Sequence, residues 1–404
     1  MEALPLPCAT LHSRKRRNIS EMCEADESSR FPLNDLNQDL LERVLSWLPT
    51  PSFFRLTSVC KRWKSVADSA SFKLACSRVP ARHPWFFMVD SHSDHTQQPI
   101  VFDSAETNWK KLNHNQDSSA STPVAAASAA GLLCFLRPEG AFIIINPVTG
   151  SSRHLDSPFP ASQQPIRAIA MTSRGEGFEL VTVSGDLPHL KFRRYCSITR
   201  GWEEEATLTM TRKADDGDCT PYFLSKCGNV VSTHIQRSPS KKYSSILIDD
   251  TLYYLSSSGT VVACNLTSKF VFEYPRLLPV SSEYSIDLVE CGGRMFVVLL
   301  SEFLETASLR VWRWDETGKS WSQTAAMPPC MSHKLYGKKA DINCSGGGDR
   351  EMLVCVNSGG ICRYVMCDLV ENTWVELPSC CIDGQNKDFV SAFSFQPRIE
   401  ALAG

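Results

Sequence analysis

The stretch Leu36-Asn-Gln-Asp-Leu40-Leu41-Glu-Arg-Val44-Leu45-Ser-Trp-Leu48-Pro49, continued by Phe53-Phe54-Arg55-Leu56 and Val59-Cys60-Lys-Arg-Trp63, decides how this chain is read. Leu36, Leu40, Val44, Leu45 and Leu48 recur at helical intervals and predict one apolar helical face. Asn34 or Asp35 is placed to cap the helix start, and Asp35 with Gln38 has capping-box spacing. Pro49 and Pro51 stop that helix, and Thr50 opens the next. Val59, Cys60, Trp63 and Val66 stripe a third. A unit of about 45 residues buries too little surface to be secure alone. Its surplus apolar face predicts a partner protein.

Residues 31–77 resemble an F-box, the segment by which ubiquitin-ligase receptors dock on a Skp-family adaptor. The likeness rests on Leu36, Leu40, Leu41, Glu42, Val44, Leu45, Leu48, Pro49, Phe54, Arg55, Leu56, Val59, Cys60, Arg62 and Trp63. Leucine spacing on its own favours an ordinary hairpin packed on the rest of the protein. The Leu-Pro break and the Val-Cys-Lys-Arg-Trp cluster reverse that preference. The family usually has a proline after the first leucine; Asn37 stands there and leaves the stripe intact. The resemblance implies adaptor contacts from Leu36, Leu40, Leu41, Val44, Leu45, Leu48, Pro49, Phe54, Val59, Cys60 and Trp63, and cullin and RING subunits reached through that adaptor.

Composition sets outer bounds. At 404 residues the chain predicts two or three domains, and 43% hydrophobic residues can form a large core. A formal charge of −2 gives no global field for nucleic acid or an anionic membrane. The longest apolar runs, such as Met295–Leu300, are far short of a spanning helix. The N-terminus lacks the continuous apolar core of a secretory signal, which predicts an intracellular protein of cytoplasm and/or nucleus. The 17 cysteines, with no pair at zinc spacing, read as reduced thiols acting as small buried apolar groups. Residues 1–30 read as a solvated, disordered tail, with Arg14-Lys15-Arg16-Arg17 a candidate nuclear-import signal before the acidic Glu24–Ser29.

From residue 85 the helical period gives way to short β-rich runs separated by Gly, Pro, Ser and Asp turns. A pattern recurs in them: a strand, a polar anchor, and six positions later an aromatic residue or its replacement. Asp103–Trp109, Asp315–Trp321 and Asp368–Trp374 show it in full; Cys196–Trp202, Asn265–Val271 and Asn146–Ser152 keep the interval. The anchor's side chain suits a tight turn and the aromatic is expected to pack back over the outermost strands. Anchors at 103, 146, 196, 265, 315 and 368 span 265 residues in five intervals, about 53 each, near the kelch period of about 50. The longer interval from 196 to 265 reads as one unit with an insertion, so six blades are predicted.

Phe389–Phe395 is one strand left over after the sixth anchor, while the first blade has three: Trp85–Val89, Ile100–Asp103 and Asn108–Leu112. The surplus fills the deficit, closing the ring at blade one. With Gly131-Leu-Leu-Cys-Phe135 and Ile145-Asn-Pro-Val-Thr-Gly150, residues 31–400 resemble plant F-box proteins with a kelch-like repeat region. The expected fold is a small helical F-box followed by an all-β, six-bladed kelch-like propeller over 78–400.

Candidate chemistry is sparse. Gly346-Gly347-Gly348 has no following Lys-Ser/Thr and is no phosphate loop. His92 and His95 lack a third ligand. No catalytic residue, metal or cofactor is predicted, and no direct nucleic-acid or membrane contact. The resemblance implies a substrate receptor of a Skp–cullin–F-box ubiquitin ligase, with a protein target held by the propeller; the alternative is a non-degradative scaffold or transcription co-regulator. In a blade with strands a to d from the axis outward, the b–c and d-to-a connections share one end. The long polar segments 91–98, 113–122, 209–243, 325–334 and 378–388 fall there, and the F-box enters at the other end. Arg212, Lys213, Arg237, Lys241 and Lys242 in the insertion are the candidate target-binding residues.

Overall fold

The computed structural model describes residues 36–90, 98–112, 124–158, 165–175, 177–210, 245–256, 259–277, 284–358 and 361–403. Four helices come first: α1 (Gln38–Ser46), α2 (Thr50–Thr57), α3 (Lys61–Val66) and α4 (Ala70–Ser77). Periodicity alone predicts three. The fourth is too short for a regular stripe, but Ser69 caps it, accepting from the Phe72 amide, and it buries Phe72 and Cys76. Asn37 caps α1, accepting from the Asp39 amide at 3.3 Å. The expected caps Asn34 and Asp35 lie outside the described residues.

Beyond Trp85 the chain forms six blades of antiparallel strands. Blade one takes β1 (Trp85–Asp90), β2 (Ile100–Asp103) and β3 (Asn108–Lys111); blade two takes β4 (Val124–Ala129), β5 (Leu132–Leu136), β6 (Phe142–Ile145) and β7 (Ser152–Leu155). Blade three is β8 (Ile166–Arg174), β9 (Gly177–Asp186) and β10 (His189–Cys196), with an outer strand in two pieces, β11 (Gly201–Trp202) and β12 (Ala206–Met210). Blade four is β13 (Ile246–Ile248), β14 (Thr251–Leu255), β15 (Val261–Asn265) and β16 (Phe270–Glu273). Blade five is β17 (Tyr284–Cys291), β18 (Arg294–Phe303), β19 (Thr306–Asp315) and β20 (Ser320–Ala326). A short helix α5 (Pro329–Ser332) leads to blade six, β21 (Asp341–Gly347), β22 (Glu351–Ser358), β23 (Ile361–Asp368) and β24 (Thr373–Glu376). After a hairpin of β25 (Cys380–Ile382) and β26 (Gln385–Lys387), β27 (Phe389–Phe395) returns to blade one. It pairs antiparallel with β1, Trp85 opposite Phe395 and Phe87 opposite Phe393. The ring is closed by the C-terminal strand. Blades three and four are also joined edge to edge, since β12 runs parallel to β16 through Thr209–Phe270 and Met210–Val271.

Strand periodicity explains the ring. Successive side chains point to opposite faces, so each blade offers one apolar set to each neighbour. In β1, Phe86 and Met88 face blade six, while Trp85 and Phe87 face blade two. In β22, Met352, Val354 and Val356 face blade five, while Leu353 and Cys355 face blade one. Among the described residues the remaining apolar clusters fill the other blade interfaces, two with three, three with four and four with five.

All six anchors stand at the c–d turn of their blade. Asp103 accepts from the amides of Ala105 and Glu106, Asn146 from Val148 and Thr149, Asn265 from Ser268, Asp315 from Thr317, and Asp368 from Val370 and Glu371. Four positions after every anchor the backbone turns left-handed: Thr107, Gly150, Arg200, Lys269, Lys319 and Asn372 have φ between 47° and 76°. The tryptophans pack on their own blades as expected, Trp109 on Phe102, Trp202 on Tyr195 and Trp321 on Trp314, while Trp374 donates to Asn372 of its own turn. Trp109, Trp202 and Trp321 donate their indole N–H to the carbonyls of Pro378, Asp156 and Pro275, each just past the outer strand of the preceding blade. These three also rivet blade to blade, so the six-residue interval serves both packing within a blade and a bond to its neighbour.

Candidate docking surfaces

The helical unit has two apolar faces where leucine spacing suggests one. Helical geometry sets residues 41 and 45 one step around from 40 and 44. Leu41 and Leu45 are buried with Phe53, Val66, Phe72 and Cys76, and Phe53 stacks on Phe72 with centroids 4.8 Å apart. These two leucines hold the unit's own core, only 1% and 2% exposed. Leu36, Leu48 and Trp63 are partly buried against that core, and Cys60 is half-buried as the residue before α3. Leu40, Val44, Phe54 and Val59 point to solvent, and Pro49 is exposed ahead of α2. Trp47, which the resemblance does not single out, is more exposed than Leu40 or Val44, at 64%. Its signal was its spacing, three residues beyond Val44 and seven beyond Leu40. Large apolar residues between 42% and 69% exposed, crowded into 40–59, make an outward face of the kind that binds protein.

Polar contacts fix the frame behind this face. Arg62 donates to the Leu36 carbonyl and ties α3 to the entry of α1. Buried Glu42 accepts from Ser69 at 2.9 Å and Gln38 at 3.0 Å, joining α1 to the start of α4. Burial works to raise the Glu42 pKa, but hydrogen bonds from Ser71, Gln38 and Ser69 hold it below the usual value.

The unit is mounted on the turn end of the propeller. Arg82 donates to the carbonyls of Ser46 and Leu48, satisfying the end of α1. Ile399 and Val148 pack on the helical core, and Arg55 pairs with Glu106 at 3.3 Å. Val148 and Glu106 belong to c–d turns, so the helices sit at the end where a–b and c–d turns emerge. Arg398 binds the linker carbonyls of Val79 and Pro80, while Asn146 donates to the carbonyls of Arg398 and Ala401, both at 2.9 Å. At the opposite end stand the described connections after β20 and β24. Arg212, Lys213, Arg237, Lys241 and Lys242 lie outside the described residues, as do His92, His95 and the basic tetrad.

Near the axis, side chains of one blade cap the free edge of the next. Asp287 accepts from the Cys344 amide at 2.6 Å, Ser285 from Ile342 at 3.0 Å, and Ser345 from Ser394 at 2.9 Å. The described cysteines form no disulfide. Burial pushes the thiols of Cys76 and Cys380 up to about 11 and those of Cys264, Cys291 and Cys367 up to about 12, so they stay protonated packing groups. Among the described residues no three His, Cys, Asp or Glu side chains are grouped to hold a metal. No described helix is long and apolar enough to cross a membrane.

Two family models match the chain, the F-box domain over residues 33–75 and the KIB1-4 beta-propeller over residues 101–331. F-box only protein 13 of Arabidopsis thaliana is 49% identical over 96% of this chain and 89% of its own length. F-box only protein 6 of the same plant is 25% identical over 92% of this chain and 76% of its own length. An Arabidopsis F-box/kelch-repeat protein is 33% identical over 90% of this chain and 89% of its own.

Proposed function

We propose, for a chain that belongs to the plant F-box proteins with a C-terminal β-propeller, that it is the substrate receptor of a Skp–cullin–F-box ubiquitin ligase. Residues 31–77 form the adaptor-docking unit and 78–400 the target-holding unit. The observation that carries this reading is the outward apolar face of Leu40, Val44, Trp47, Phe54 and Val59, on a unit packed against the propeller end opposite the described connections after β20 and β24. An adaptor covering that face links the chain to cullin and RING subunits. A target held on the far end is then kept near the ubiquitin carrier at high effective concentration. The chain performs no bond chemistry in this reading, and it works inside the cell, in cytoplasm or nucleus.

Leu40→Glu with Val44→Glu in the full chain tests the assignment, because both side chains point to solvent and leave the core intact. Capture by a purified Skp-type adaptor should be lost while the unfolding curve is unchanged. Undiminished capture by a folded double variant overturns the reading. Recovery of adaptor without cullin from cells would instead favour a non-degradative scaffold or co-regulator.

A further inference from the structure

Among the described residues, five two-residue hairpin turns beyond the helices have both central residues at positive φ: Ala130-Gly131, Asp249-Asp250, Gly292-Gly293, Leu304-Glu305 and Asp383-Gly384. Such turns match the strand twist but strain any residue other than Gly, Asn or Asp. Four of the five contain glycine or aspartate. The exception places Leu304 at φ 45°, beside Phe303, and the two side chains stand 78% and 74% exposed. Leu304-Glu305 thus combines an unfavourable backbone with unfavourable solvation, in a turn that Asn-Gly would fill without either cost. Folding gives no reason for this choice.

The surroundings supply one. The turn joins β18 to β19, a b–c connection, so it projects from the end opposite the helical unit. Beside it lies the connection from blade five to blade six, where the Gly337 amide donates to Glu302 at 3.2 Å. Leu335 anchors that connection in the core between blades five and six, leaving Tyr336 43% exposed beside the Gly337 amide that donates to Glu302. His333, Lys334, Lys338 and Lys339 are exposed along the same connection, and among the described residues no ion pair engages these lysines. Glu302 and Glu305 are the facing acids, and Glu302 already serves the Gly337 amide. The patch is an apolar tip with a net basic rim.

We propose that Phe303, Leu304 and Tyr336, with Lys334, Lys338 and Lys339, form the propeller's target-docking surface, and that it takes an extended protein segment carrying an apolar anchor flanked by acidic residues. The proposal rests on the receptor reading and names the chemistry of its target. The apolar tip supplies desolvated contact, and the lysine rim selects the charge of the flanks.

The test uses the full chain and fluorescein-labelled twelve-residue peptides. One library has a central Leu, Phe or Trp with Asp/Glu flanks, a second has the same anchors with Lys/Arg flanks, and a third has acidic flanks without an anchor. Acidic-flanked, anchored peptides should bind at least tenfold more tightly than either other set. Leu304→Asn with Glu305→Gly should weaken that binding at least tenfold while raising the melting temperature, a divergence that a purely structural turn does not produce. Charge reversal of Lys334, Lys338 and Lys339 to Glu should weaken it further at low salt than at high salt. Equal binding by the basic set, no binding by the acidic anchored set, or binding unaffected by the turn variant overturns the proposal. Adaptor capture, measured on the same samples, should be unchanged by these variants. The Leu40→Glu/Val44→Glu chain should retain peptide binding, so failure of either reading shows separately.

Discussion

The Thr50 hydroxyl donates to the Pro397 carbonyl across 2.8 Å, between two residues that sequence separates by almost the whole chain. Thr50 opens α2, and Pro397 stands two residues past the strand that closes the ring. Two residues further on, Ile399 enters the helical core. The C-terminal tail therefore completes both units: β27 gives blade one its inner strand, and residues 397–399 give the helices part of their core. The tail thereby joins the helical unit to the propeller.

Ile399→Ala should loosen the helical unit while leaving the ring closed. Removing a buried isoleucine costs about 2–5 kcal/mol. Hydrogen exchange should accelerate at the amides of α1 and α2 and stay unchanged in β1 and β22. Deleting 388–404 should do more, exposing the edge of β1 and bringing aggregation or loss of cooperative unfolding. Unaltered protection of α1 in the Ile399 variant would show that the tail merely rests on the helices.

Trp321→Phe tests the rivet between blades. The indole donates to Pro275 at 2.8 Å, and phenylalanine keeps the ring but loses the donor. Stability should fall by about 0.5–1.5 kcal/mol in urea titration, with the slope unchanged. A variant as stable as the parent would leave the tryptophan with its packing role alone, as on Trp314.

Gly346→Ala should be far more damaging than its size suggests. A Cβ there would run into the Glu290 carbonyl oxygen, a backbone atom that cannot swing aside, so the inner strand of blade six must shift. Destabilisation beyond the roughly 1–3 kcal/mol usual for overpacking is expected in chemical denaturation. Gly293→Ala is the comparison: nothing lies within 4 Å of its Cβ, and only the positive φ of 72° opposes it, at about 1–2 kcal/mol.

That close approach explains what was legible in the sequence and what was not. The middle strands could be read because they face two neighbouring blades and keep long apolar runs, as in β18 and β22. Inner strands such as β4, Val-Ala-Ala-Ala-Ser-Ala, and β21, Asp-Ile-Asn-Cys-Ser-Gly-Gly, crowd the axis, where small residues replace the apolar pattern. Five anchors were legible because a side-chain oxygen must reach its turn amides, and Cys196 only through its interval; the left-handed residue four positions on was not, since Thr, Arg, Lys and Asn fill it as well as Gly. In the helical unit the leucine stripe was plain, but spacing cannot tell the core pair Leu41 and Leu45 from the exposed pair Leu40 and Val44. The tail's contacts with Thr50, Asn146 and Val79 join distant parts of the chain through irregular backbone, which no periodicity marks.

Asp341→Asn should make the protein more stable at neutral pH than its parent. Burial raises the Asp341 pKa, and the neighbouring Asp287 carboxylate adds to the shift, against the lowering effect of the Ser285 hydrogen bond at 2.6 Å. The sign follows from proton counting. A carboxyl whose pKa is higher folded than unfolded holds its proton better in the native state. Below both values the two states are equally protonated. As pH rises from the ordinary carboxylate value through the raised one, the native state retains a proton that the unfolded chain has lost, and stability falls. Above the raised value the deficit is complete and constant. Asparagine keeps an oxygen to accept from Ser285 and has nothing to ionise. Denaturation from pH 4 to pH 7 should therefore show the gap between variant and parent widening in the variant's favour as pH rises. A gap that is flat across that range, or that widens toward acid, would mean that Asp341 is stabilised as an anion by its partners at the axis.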